Sequence, residues 1–202
     1  PFLDPFLGIQ QADTRKFLVD IVGNIGHVSS VDALLRALRD PEDNVRAAAA
    51  EQLAKVGDRR AARGLLLAME GADDWTAYSV LMALGKMRIS EALPVFFRNL
   101  ERGGILAIPC VQGIGSLGSV GDALLLLERL PHLARASAKA AFLATAQVAR
   151  RAAQGPEGLS SLPPLREAVG RAADAPIRQF LASQLGATED VEARRDLVVA
   201  LG

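Results

Sequence analysis

The stretch Val31-Asp-Ala-Leu-Leu-Arg-Ala-Leu-Arg-Asp40-Pro-Glu-Asp-Asn-Val-Arg-Ala-Ala-Ala-Ala-Glu-Gln-Leu-Ala-Lys-Val56-Gly-Asp58 reads as two short helices joined by a break. Leu34, Leu35 and Leu38 fall at i, i+1 and i+4, on one helical face. Pro41 sits where a second helix begins and its missing N–H costs nothing, and Glu42 and Asp43 bring negative charge to the positive end of the helix dipole. Gly57-Asp58 stops that helix.

Working outward, the same unit recurs. Leu38, Met69, Leu100 and Leu130 follow one another at intervals of 31, 31 and 30 residues, with Leu35, Leu66, Phe97 and Leu127 in parallel. Val22-Gly23, Leu53-Ala54, Leu84-Gly85 and Ile114-Gly115 keep the same intervals, each a large apolar residue followed by a small one. A fixed period of about 30 residues is the signature of stacked supersecondary units. Alternating Val, Ile, Thr and aromatic patterns between turns are absent, so no sheet is expected.

Beyond Leu130 the spacing loosens. A long Ala-rich helix is predicted from about Ala134 to Ala153, then a longer connection near 154–164. Ile177-Arg178-Gln-Phe-Leu-Ala-Ser-Gln184-Leu185-Gly186 then matches Val45 to Ala54 position by position. The reading is a single all-α solenoid over 1–202, regular over 13–130, with further repeats over 165–202 and about six helical pairs in all. The opening Pro-Phe-Leu-Asp, and the end at Gly202 after an apolar run, read as a domain cut from a longer chain.

Composition narrows the function classes. Twenty-three basic residues against 23 acidic ones cancel to a formal charge of zero, which removes the basic footprint of a nucleic-acid binder. Half the residues are hydrophobic but only 4% are aromatic, a helical Ala-Leu-Val profile. The single cysteine, Cys110, allows no intramolecular disulfide and points to a reduced, cytoplasmic setting. The uncharged stretch Gly103 to Gly121 is broken by six glycines and Pro109 and does not read as a membrane span.

Asp40-Pro-Glu-Asp-Asn-Val-Arg46, the Ala-rich run after it, Gln52-Leu53 and Val56-Gly57-Asp58 resemble the bacterial HEAT-like repeats shared with phycobilin-lyase subunits, an armadillo-like family. The resemblance extends to Asp174-Ala-Pro-Ile-Arg178 and Thr14-Arg15, whereas Thr76-Ala77 and Leu106-Ala107 replace the Val-Arg pair in two middle repeats. It implies a right-handed αα superhelix with the second helix of each pair lining the concave side. It also implies a structural ladder of inter-repeat Asp–Arg pairs through Arg15, Asp40, Arg46, Asp174 and Arg178. It implies no single activity.

In the second helix of the clearest repeat, Val45, Ala48, Ala49, Gln52, Leu53 and Val56 trace the inward stripe, which leaves Asn44, Ala47, Ala50, Glu51 and Ala54 toward the groove. Carried forward, this register gives Trp75, Tyr78, Leu81, Met82 and Gly85, then Ile105, Ile108, Val111, Gln112 and Gly115. The only Trp and only Tyr thus fall at i, i+3, and Trp75, Tyr78, Leu81, Ile108 and Val111 form the expected partner-binding patch. The alternative is that Trp75 covers the helix start and Tyr78 fills a core gap. Arg135, Lys139, Arg150 and Arg151, with no acidic residue between Pro131 and Gly155, form a second candidate: a basic strip for an acidic partner or a phosphate, or an ordinary solvated helix.

Catalytic constellations are missing from the sequence. His27 and His132 lie in different turns with no nearby His or Cys, so no metal is expected. Cys110 lies in an apolar helix without a neighbouring base. Gly113-Ile-Gly-Ser-Leu-Gly118 matches G-x-G-x-x-G by letter only, since no strand precedes it. The leading expectation is therefore a non-catalytic scaffold, not an enzyme and without a cofactor, that binds a protein or peptide in its concave groove. The alternative, suggested by the resemblance, is a lyase-like or chaperone-like subunit handling a tetrapyrrole or similar hydrophobic ligand. A polyanion binder using the basic strip ranks third, nucleic acid is disfavoured, and exposed repeat ends leave homo-oligomers open.

Overall fold

The computed structural model describes residues 9–155 and 162–172. Its helices are α1 (Ala12–Ile25), α2 (Val31–Ala37), α3 (Asp43–Val56), α4 (Ala62–Ala68), α5 (Asp74–Lys86), α6 (Leu93–Arg102), α7 (Ala107–Leu117), α8 (Val120–Glu128), α9 (Arg135–Ala153) and α10 (Pro163–Ala172). No strand occurs among the described residues. Short 3₁₀ turns at Val28–Ser30, Arg59–Ala61 and Ser90–Ala92 lead into α2, α4 and α6, so even the irregular segments repeat.

The odd-numbered helices stack on one another in chain order, α1 on α3, α3 on α5, α5 on α7 and α7 on α9. The shorter even-numbered helices form an outer layer, each packed on the inner helix that follows it, and α10 continues that layer against α8. The chain is an all-α solenoid of stacked helical pairs. One core cluster runs through the stack from Val19 on α1 to Ala144 on α9, and a second, with Leu127, Phe142, Val148, Leu162, Leu165 and Val169, lies under α8, α9 and α10.

Each local device follows from the residues. Gly57 ends α3 in the left-handed region at φ 71°, and its N–H donates to the Leu53 carbonyl. Asp73 caps α5 by accepting from the Thr76 N–H, and Ser119 with Asp122 forms a reciprocal capping box on α8. The glycines of the Gly113–Gly118 stretch permit close packing: a Cβ on Gly113 would lie 2.4 Å from the Phe96 ring, and one on Gly115 would lie 2.7 Å from the Ala144 Cβ. They let α7 approach α6 and α9, and they belong to no nucleotide loop.

The repeat at 177–186 and the ladder residues Asp174 and Arg178 lie outside the described residues. No helix among those described is long and apolar enough to cross a membrane.

Candidate functional site

An inner helix is covered by the helix before it, the helix after it and its outer partner, so only a narrow strip remains for solvent. On α3 the consequence is that Ala47, Ala48, Ala49 and Ala50 are all buried, as is Ala54. The expectation that Ala47, Ala50 and Ala54 face the groove is corrected accordingly. The strip left open on α3 is Asn44, Glu51 and Lys55, at steps of seven and four residues, which keep it within a few tens of degrees around the helix.

On α5 the same strip carries Trp75, Met82 and Lys86, with Tyr78 beside it. Trp75 is 51% exposed and Met82 41%. Tyr78 is half-buried, and its ring stacks on that of Trp75 with centroids 6.5 Å apart and planes 14° from parallel. The turn before α7 adds Ile105, 51% exposed, and α7 itself adds half-buried Ile108 and exposed Gln112. Ile105 sits in the 3₁₀ turn Gly104–Leu106, which packs on α5. Aromatic and aliphatic side chains therefore meet across two neighbouring repeats, on a face where α3 carries polar and charged groups.

Two of the five residues expected there are elsewhere. Leu81 and Val111 are completely buried in the main core. The physical reason is helical phase: from Tyr78 the open strip steps by four to Met82, and a step of three rotates Leu81 into the α5 core face. Met82 and Ile105 take their places, and the sequence register already contained both. Tyr78 is also partly packed against the core, so it combines the two roles weighed for it.

The basic strip does not act as one unit. Arg151 turns inward, and its guanidinium donates to the Gly115 and Gly118 carbonyls at 2.8 and 2.5 Å, closing the C-terminal end of α7. Burial, with Arg88 and Arg150 nearby, holds Arg151 below the ordinary guanidinium value. Arg135 is exposed at the start of α9, and Lys139 is half-buried one turn later.

Two inter-repeat Arg–Asp pairs occur among the described residues. Arg15 Nε and Nη2 donate to Asp40 at 2.8 Å each, and Arg15 Nη1 donates to the Ile9 and Gln10 carbonyls. Arg46 repeats the arrangement: Nη1 donates to the Asp40 and Pro41 carbonyls, and Nη2 donates to Asp73 at 2.6 Å. Burial by itself would raise the Asp73 carboxyl, but the Thr76 amide and hydroxyl and the Arg46 guanidinium outweigh it and hold Asp73 far below the usual carboxylate range. Asp40 is lowered in the same way, chiefly by Arg15 against its own burial. Asp73 was not singled out by sequence, since its spacing from Asp40 departs from the repeat period. A cleft of about 370 Å³ opens beside this pair, lined by Leu35, Leu38, Arg39 and Leu67 among others, but its Arg46 and Asp73 already satisfy each other.

Cys110 is fully buried, and desolvation pushes its thiol up to about 12, too high for a nucleophile at neutral pH. Among the described residues, no three His, Cys, Asp or Glu side chains come together to hold a metal ion.

Residues 7–85 match the HEAT repeats family. Among solved structures, the chain is similar to the complex of CpcE and CpcF of phycocyanin lyase from Nostoc sp. PCC7120. The match has a TM-score of 0.62 and 20% identity and covers 96% of this chain and 90% of that one. Comparison with curated proteins returned no match. The two leading expectations, a non-catalytic scaffold and no enzymatic role, are corrected by this likeness: a solved structure that shares the fold over most of both chains is a complex of two phycocyanin lyase subunits.

Proposed function

Taking the chain as a HEAT-like repeat protein with the fold of those lyase subunits, we propose that it is a lyase-type subunit that holds a tetrapyrrole or similar flat hydrophobic ligand in its concave groove. The observation that carries this reading is the apolar surface of exposed Trp75, Met82 and Ile105 with half-buried Tyr78 and Ile108, beside a strip where α3 carries polar and charged groups. A stacked indole and phenol offer a flat, polarisable platform with few rotatable bonds to freeze, and aliphatic groups beside it extend the contact without directional demands. Such a surface suits a conjugated ring system. Its chemical contribution is to shield a reactive chromophore from water and fix its orientation, and the charged groups on the same open strips are Glu51, Lys55 and Lys86.

A second protein subunit belongs to this reading. The uncovered stripe Phe17, Ile21 and Ile25 on α1, 63%, 41% and 69% exposed, is the apolar edge of the stack suited to it.

The test is a titration of the purified chain with biliverdin and with haemin. The fluorescence of Trp75, the only tryptophan, should be quenched, and the pigment absorption band should shift. Tyr78→Ser should weaken binding about tenfold, the loss of one stacking contact and its buried area. No quenching and no band shift with either pigment would refute the proposal.

A further inference from the structure

Resting on that ligand-holding reading, we propose that Lys55 and Lys86 form a carboxylate-binding edge that orients the ligand, so that the groove selects a flat apolar body with acidic groups along one side. The two lysines are 31 residues apart, equivalent positions of consecutive repeats, and lie in the last turns of α3 and α5. Those helices pack side by side, with axes spaced roughly 8–10 Å apart, which puts the two lysines at matching positions of neighbouring helices. Along α5 the strip runs from Trp75 at the N-terminal end through Met82 to Lys86. Eight residues separate Tyr78 from Lys86, about 12 Å of helix. The aromatic platform and the cationic edge are therefore two ends of one surface.

Lys86 is exposed and makes no hydrogen bond or ion pair among the described residues. Lys55 donates to the neutral Asn24 side chain at 3.5 Å, and Asp20, which holds Lys16 at 2.9 Å, feels the Lys55 charge without an ion pair to it. Glu51 is the acidic group on the same strip, one turn from Lys55, and it would disfavour an acid laid too far toward the apolar end. Both lysines also sit where cations complement a helix C-terminus. That role alone predicts an effect on melting and none on ligand choice.

The experiment compares a free tetrapyrrole dicarboxylic acid with its dimethyl ester, reading Trp75 quenching for wild type, Lys55→Ala/Lys86→Ala and Lys86→Arg. Wild type should bind the acid about tenfold more tightly than the ester, with the preference falling as salt rises. The double alanine variant should lose the preference while binding the ester as before, Lys86→Arg should retain it, and Glu51→Gln should enlarge it. Equal binding of acid and ester by wild type would overturn the inference and leave the ligand-holding reading standing. A preference that persists in the double variant would also overturn it, and would move the anion contact to another cation such as Arg88. Failure of both the acid and the ester to quench Trp75 would instead remove the ligand-holding reading itself.

Discussion

Replacing Gly113 with alanine should destabilise the solenoid, and the same replacement in a Phe96→Ala background should stabilise it. Gly113 lies within α7 facing Phe96, which is fully buried, and an added Cβ would sit 2.4, 2.5 and 2.7 Å from three atoms of the ring. The ring is the rigid body of a buried side chain, so the clash is relieved only by shifting α6 against α7. Overpacking of this kind costs about 1–3 kcal/mol. Alanine in place of a helical glycine returns about 1 kcal/mol, which leaves a net loss of up to about 2 kcal/mol, or up to roughly 8 °C in melting temperature for a chain of this size. Phe96→Ala alone should cost about 3–5 kcal/mol through the cavity it leaves. In that background the clash is gone, and Gly113→Ala should recover about 1 kcal/mol from helix propensity. Gly85 on α5 is the control, because a Cβ there meets the same ring at 3.8 Å and the Gly113 Cα at 3.7 Å, ordinary contacts, so Gly85→Ala should be neutral or slightly stabilising. Urea unfolding followed by far-UV circular dichroism reads all four variants. A Gly113→Ala loss that is absent in wild type, or equally large with and without the Phe96 ring, would refute the close-approach argument.

Other outcomes follow from the same geometry. Asp73→Ala removes the cap of α5 and the acceptor of Arg46, and should lower stability by about 1–2 kcal/mol in urea unfolding. Because the folded state holds Asp73 below its unfolded value, its contribution is complete above pH 5 and fades as the pH falls through the unfolded value near about 4 and beyond. The stability gap between wild type and Asp73→Asn should therefore narrow on acidification, and a gap independent of pH would contradict the assignment. Cys110, buried and with its thiol pushed up to about 12, should react with a disulfide reagent only as fast as the chain opens, so immediate stoichiometric labelling of the folded protein would contradict its placement. Gly57→Ala forces a side chain into the left-handed region and should cost about 1–2 kcal/mol although nothing crowds the site, as measured by thermal unfolding.

The solenoid was legible in the sequence because stacking demands the same thing of every repeat. A large apolar residue must recur where a helix meets the core, and a small one where the next helix crosses close by, so Leu53-Ala54, Leu84-Gly85 and Ile114-Gly115 expose the period without coordinates. The helix ends were legible for the same reason, since Pro41 and Gly57 act through their own backbone restrictions. The groove was legible only in part. Trp75 and Tyr78 were visible as rare residues one turn apart, but whether Leu81 or Met82 accompanies them depends on how far α5 is rotated between α3 and α7, and that rotation is set by neighbours about 30 residues away. The partners of Arg46 and Arg151 were hidden for the same cause: each bonds to groups that chain folding delivers from a different repeat, Asp73 in one case and the carbonyls of Gly115 and Gly118 in the other. What the sequence by itself determined was the repeating unit, a property of short-range pattern. Which side of each inner helix is left uncovered was decided only by tertiary packing, because exposure on a helix flanked on three sides belongs to the assembly of repeats and not to any one of them.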